Sequence, residues 1–356
     1  MRNNRYARTL LTCGLALSLG AAAACGGNSQ TGAGGSSDKP LIGVAMRFIA
    51  GNTWLSTLAS GAVAAGQDKG YDVQTVDAQG DATQQIQQMK TFINRGAKAI
   101  IIEPVGDQSV SAGIAAAKQA NVPVIVVNDQ VSPELAKQVA CNVHDDGSAT
   151  AEQVGAKAAE VAAQRLGNNA TINLYIQAIQ PQELVTEARE NGFMKGWNGY
   201  LTAHPGPKTN RIPDNYGQAL PDKTLTAMRN VVSGHPDINV IFNETDVVYP
   251  AIAEALKSAG LMDPSGKSKV IIAGFDGGMD VIKAMASNPN SPVVVDGLNQ
   301  PATQSRWAVD EAIAAATKKP TGQCTGSPAT RILPPLIATP DTAAKYVSDL
   351  AFAGSK

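Results

Sequence analysis

The sequence predicts an α/β protein built from two similar units, each with a mostly parallel sheet. Three observations carry this. From Leu41 onward, short apolar runs rich in β-branched residues alternate with longer Ala-rich amphipathic stretches. Strands that are apolar nearly throughout belong to parallel sheets covered by helices on both faces. The alternation begins afresh after about residue 145, which implies two units and not one continuous sheet, and 356 residues suffice for two domains.

The strand candidates of the first unit are Leu41–Met46, Tyr71–Val76, Ala99–Ile102 and Val122–Val127. Those of the second are Ala170–Ile176, Ile238–Phe242, Val270–Ala273 and Pro292–Val295. Helical periodicity covers Thr57–Lys69, Thr83–Asn94, Val110–Ala120, Ser148–Arg165 and Val247–Ala259. Several strands end on a polar residue: Asp77, Glu103, Asn128 with Asp129, and Asp276. Ligands of open α/β sheets bind beyond the carboxyl ends of the strands, so these residues mark a candidate site. Each taken singly reads equally well as a helix N-cap.

The N-terminus reads as an export signal. Arg2, Arg5 and Arg8 form a basic head, residues 9–24 are apolar and end in four alanines, and Cys25 follows. The apolar run of about 16 residues falls short of the roughly 20 that a permanent span needs, and no later segment is longer. Cys25 after small residues resembles the lipobox of bacterial lipoproteins, with Ala22 where Leu is usual. That resemblance implies cleavage before Cys25, lipid on its sulfur and anchorage to the membrane. The plainer alternative is an ordinary signal peptide with an incidental cysteine. Residues 26–39, rich in Gly and Ser, read as a flexible tether.

Lys and Arg number 29 against 30 Asp and Glu, a net charge of −1, so no overall field draws the chain to nucleic acid. Of four cysteines, Cys13 lies in the signal and Cys25 is the anchor candidate, leaving Cys141 and Cys324. In an oxidising compartment a disulfide between them is expected; two buried free thiols are the alternative. The usual marks of catalysis are missing. There is no phosphate-binding glycine loop with Lys-Ser/Thr, and no Gly-x-Ser-x-Gly elbow. His144, His204 and His235 have no metal-ligand spacing. The expectation is a protein that is not an enzyme and needs no cofactor or metal.

Several segments together resemble the type I periplasmic sugar-binding proteins, the ribose/xylose branch of the solute receptors of ATP-driven importers. They are Ile42–Phe48 with Trp54, Gln85–Pro104, Ala120–Asp129, Ala188–Phe193, His235–Phe242 and Ala273–Gly277. The resemblance spans about residues 41 to 340. It implies the periplasmic binding protein-like I fold: two Rossmann-like lobes joined by three hinge strands, closing on a ligand between them. The crossings are expected near 141–145, 297–301 and 328–334, which puts Cys141 and Cys324 beside two of them and strengthens the disulfide. The implied organisation is a signal peptide (1–24), lipidated cysteine and tether (25–39), an N-terminal lobe (40–142 with 300–330) and a C-terminal lobe (143–299 with 331–356).

Carried over position by position, the family's ligand contacts fall on Arg47, Trp54, Asn128, Asp129, Glu187 or Arg189, Thr245, Asp246, Asp276 and Asn299, and Phe48 beside Arg47 is a candidate wall. Tyr216 and Tyr249 are further candidates for a wall or for core packing. The chain departs from the family at several of these. Asn128-Asp129 stands where Asp-Arg is usual, Thr245-Asp246 where Asn-Asp is, Asn299 where Gln is, and Thr53 where an aromatic ring is. Loss of an arginine removes a fixed fork of donors, and acidic side chains accept from hydroxyls. The resemblance therefore implies a shifted ligand: a polyol, a different pentose or a small cyclic sugar. Expected partners are that ligand, the subunits of an ABC permease and the membrane through Cys25; a monomer without nucleic acid is expected. A furanone-type signalling solute or another non-sugar solute on the same fold is the main alternative. A surface hydrolase lacks a nucleophile motif, and a transcriptional regulator of the superfamily would need a helix-turn-helix where the signal stands.

Overall fold

The computed structural model describes residues 39–106, 108–288 and 290–347. The signal peptide, Cys25 and the tether up to residue 38 lie outside them. The first lobe begins with β1 (Leu41–Met46), α1 (Thr53–Asp68), β2 (Asp72–Asp77), α2 (Ala82–Asn94) and β3 (Ala99–Ile102). It continues with α3 (Ser111–Gln119), β4 (Val124–Val127), the short α4 (Pro133–Ala136) and β5 (Cys141–Asp145). The second lobe holds α5 (Gly147–Leu166), β6 (Thr171–Ala178), α6 (Leu184–Ala203), β7 (Lys208–Arg211), β8 (Asn215–Tyr216), α7 (Pro221–Gly234) and β9 (Val240–Asn243). After a 3₁₀ turn at Asp246–Val248 come α8 (Tyr249–Ser258), β10 (Ile271–Phe275), α9 (Met279–Ser287) and β11 (Val293–Gly297). The chain then returns with α10 (Pro301–Thr317) and β12 (Thr330–Leu333) to the first lobe, and ends with β13 (Ile337–Ala338) and α11 (Ala343–Tyr346) on the second.

The first sheet runs β12-β5-β4-β3-β1-β2, parallel throughout. The second runs β13-β11-β10-β9-β6-β7, with β8 beside β6; only β13 is antiparallel. Alternate side chains of each strand face opposite layers of helix. Ile101, Ile125 and Val127 pack with Leu55 and Leu58 of α1 and Ala308 and Ala312 of α10. Ile100, Ile102 and Val126 face Met89 and Phe92 of α2 and Ile114 of α3. The second sheet repeats this, with Leu174 and Phe242 against Phe193 and Trp197 of α6, and Tyr175 and Ile241 against Met228 of α7 and Ile252 of α8. Burial on both faces is why these strands read as unbroken apolar runs.

The chain passes between the lobes after β5, after β11 and after β12. β5 and β12 pair in register from Asn142 with Thr330 to Asp145 with Leu333, both within the first sheet. The lobe boundaries expected after residues 142 and 330 therefore cut through paired strands. The changes of lobe fall instead at Asp146, at residues 298–300 and at residues 334–336. Cys141 and Cys324 form a disulfide, with Cα atoms 6.1 Å apart, that ties the start of β5 to the loop before β12.

Candidate functional site

The carboxyl ends of both sheets meet across a cavity of about 470 Å³. Arg47, Phe48, Asn52, Trp54, Asp77, Gln79 and Asn128 line it from the first lobe, and Gln180, Arg189, Gln218, Thr245 and Asp276 from the second. Asn299, on a crossing segment, closes the floor. Backbone strain puts several of these side chains there. Asn128 (φ 65°) and Asp276 (φ 107°) follow β4 and β10 with positive φ; Gln79, after β2, and Gln218 and Ala219, after β8, have positive φ as well. Side chains other than glycine occupy this region at a cost, which persists where the surroundings over-determine it and clusters at ligand clamps.

On the floor, Asn299 Nδ2 reaches Asn128 Oδ1 at 3.5 Å and Asp276 Oδ1 at 3.4 Å, and its Oδ1 accepts from Gln304. Trp54 Nε1 donates to the Asn299 carbonyl at 2.9 Å, so the indole is held as a wall by the crossing segment. Arg189, on the first turns of α6, pairs with Asp276 at 3.0 Å and donates to the Glu244 carbonyl at 2.5 Å, its guanidinium 4.2 Å over the Phe275 ring. Burial raises the Asp276 carboxyl against the opposing pull of Arg189.

Arg47 follows β1. Its Nη2 pairs with Glu103 at 2.9 Å and its Nη1 with Asp129 at 3.4 Å, and Nη1 also donates to Glu183 across the cleft. Burial alone would weaken its hold on the proton, but the three carboxylates more than reverse this. Burial lifts Asp129 to about 7, opposed by Arg47 and reinforced by Glu183 and Glu103. Glu103 is raised as well, by burial first.

Of the residues expected at the site, Arg47, Phe48, Trp54, Asn128, Arg189, Thr245, Asp276 and Asn299 line the cavity. Asp129, Asp246 and Glu187 do not. Successive side chains at a strand end point in different directions, so Asn128 and Thr245 face the cavity while their neighbours turn away. Asp129 turns to Arg47. Asp246 accepts from the Gly278 amide at 2.7 Å and pairs with the buried carboxyl of Asp296. Glu187 precedes Arg189 by two helical positions, about 200° around the axis, and so lies exposed when Arg189 is buried. Tyr216 is exposed, and Tyr249 packs against the second-lobe core. Sequence reasoning missed Asn52, Gln79, Gln180, Gln218 and the clamp residue Glu183. Gln180 sits just beyond β6, where the strand-end rule reaches it; Gln79 and Gln218 depend on turns that no single-sequence signal marks.

Residues 42–320 match the family described as the periplasmic binding protein domain. The chain belongs to this family. The ribose import binding protein of Escherichia coli is 26% identical over 237 residues, 66% of this chain and 72% of its own length. The D-apiose import binding protein of Paraburkholderia graminis is 25% identical over 283 residues, 79% and 82% respectively. A solved ABC-transporter solute-binding protein from Mycobacterium smegmatis with bound glycerol superposes with a TM-score of 0.72 at 23% identity, covering 89% of this chain and all of that one. The protein is a periplasmic binding protein with the two-lobed α/β fold of the type I members. An exported protein follows from the family.

Proposed function

We propose that the cleft captures a small uncharged carbohydrate or polyol and presents it to the permease, with the protein acting as a monomer tethered by lipid on Cys25. The supporting observation is the cavity's chemistry. Amide and carboxylate groups of Asn128, Asp276, Asn299, Gln79 and Gln180 offer donors and acceptors, beside the apolar faces of Phe48 and Trp54. Hydroxyls that both donate and accept satisfy such groups, and C–H faces of a sugar stack on rings. The relatives named for ribose and D-apiose, and the glycerol-bound structure, lend weight to this class of ligand. Closure would bury these polar groups, and a ligand that leaves one unpaired is rejected.

A thermal-shift screen of pentoses, alditols, inositols and furanones tests the reading. A ligand at a hundred times its Kd stabilises by about 2.7 kcal/mol. A shift with an amino acid or nucleoside, and with no polyhydroxy compound, would overturn it.

A further inference from the structure

The cleft's charge arrangement carries more than the ligand class. Arg47 and Arg189 are the cations that line the cavity among the described residues. Arg189 is spent on Asp276. Arg47 is surrounded by three carboxylates for one guanidinium: Glu103 after β3, Asp129 after β4 and Glu183 at the entry to α6. Two of the three, Glu103 and Asp129, belong to the same lobe as Arg47. Glu183 belongs to the second lobe and meets Arg47 across the cleft. It is buried, and Thr186 Oγ1 reaches its other oxygen at 3.4 Å.

We propose that Glu183 is a specificity-determining positioning residue: by occupying Arg47 from the opposite lobe it denies that cation to the solute and excludes anionic sugars. This rests on the reading of the cleft as a sugar or polyol site. An aldonate differs from its alditol by one carboxylate in place of a terminal hydroxymethyl group. Brought into this cavity, that carboxylate meets a guanidinium already engaged by Glu103 and Glu183, and the repulsion of Glu183 through a poorly screened interior. An alditol meets neither penalty. Discrimination by an unpaired or repelled charge is stronger than discrimination by fit alone.

The test compares xylitol and D-xylonate by calorimetry on the purified protein and on Glu183→Gln, which keeps the side chain's size and its contact with Thr186. The expected result is no measurable D-xylonate binding by the unaltered protein, and a fall of at least tenfold in the xylitol-over-xylonate ratio in Glu183→Gln, through tighter D-xylonate binding. The double variant Glu183→Gln with Arg47→Gln should lose the gained D-xylonate binding, because the anion is held through Arg47. A merely structural role would weaken both probes together and leave their ratio unchanged; that result, or equal affinity of the unaltered protein for the two probes, overturns the proposal. Glu183→Ala provides the same readout if Glu183→Gln melts early. Failure of the unaltered protein to bind xylitol or any neutral sugar counts against the ligand reading, whereas D-xylonate binding that appears only without Glu183 still supports the role of Glu183.

Discussion

Asp246 and Asp296 are two carboxyls sealed under the turn that carries Asp276. Burial lifts Asp246 to about 7 and Asp296 well above its ordinary value, the latter reinforced by Asp246 itself. Asp129 beside Arg47 is raised to about 7 as well. The unfolded chain releases these protons at about pH 4, whereas the folded protein holds those of Asp246 and Asp129 up to about 7 and that of Asp296 well beyond its ordinary range. Between those values the folded state holds more protons, so stability falls as pH rises through the window. The melting temperature should therefore be higher at pH 5 than at pH 8. Asp296→Asn should shrink that difference by removing one of the paired acids; a flat or inverted profile in the unaltered protein refutes the assignment. At this scale the sequence was legible where a strand simply ended on a polar residue, as at Asn128 and Asp276. It was not legible where two neighbours competed for one direction. Nothing in the string Asn128-Asp129 or Thr245-Asp246 says which side chain faces the cavity, because the backbone angles that decide it come from the packed strand ends.

Helices α5 and α6 lie against each other with almost no space between backbones. A Cβ on Gly196 would sit 1.8 Å from the Glu152 carbonyl oxygen, and one on Gly155 2.0 Å from that of Phe193. Gly199, on the same helix, has nothing within 4 Å of its Cβ direction. Gly196→Ala must push the helices apart and should cost about 1–3 kcal/mol, whereas Gly199→Ala should gain up to about 1 kcal/mol from helix propensity; urea unfolding of the pair checks both. Because α6 carries Arg189 and is entered at Glu183, Gly196→Ala should also weaken ligand binding. The disulfide works on a longer reach, closing a separation of 183 residues. Its removal as Cys141→Ser with Cys324→Ser should cost about 2–5 kcal/mol, chiefly through the unfolded chain, seen as a lower denaturation midpoint without loss of the α/β circular-dichroism signature. The strands and the first helices were legible from apolar runs and periodicity. The ends of β5 and β12 were not, because both are set by pairing with each other across 188 positions of chain.

For the whole molecule, the two sheets face a common cleft, and Arg47 with Glu183 joins its sides. On the proposed reading, a tether of about 14 residues after a lipidated Cys25 would keep the protein at high effective concentration beside the permease. Cys25→Ala should release the exported protein from the membrane fraction into the soluble one, as fractionation and immunoblotting would show; retention in the membrane would exclude Cys25 as the anchor.

The order and polarity of the segments determined the two parallel-sheet lobes, because strands covered on both faces must be apolar throughout and their connections must be helices. Residue chemistry likewise left Cys141 and Cys324 as candidates to pair and placed polar side chains at strand ends, while the aromatic and arginine candidates came from the family resemblance. Only the tertiary structure decided which of those groups share the cavity. Glu183 shows why: its partner Arg47 stands 136 residues away on the other lobe, and no local pattern encodes a contact made by bringing two separately folded faces together.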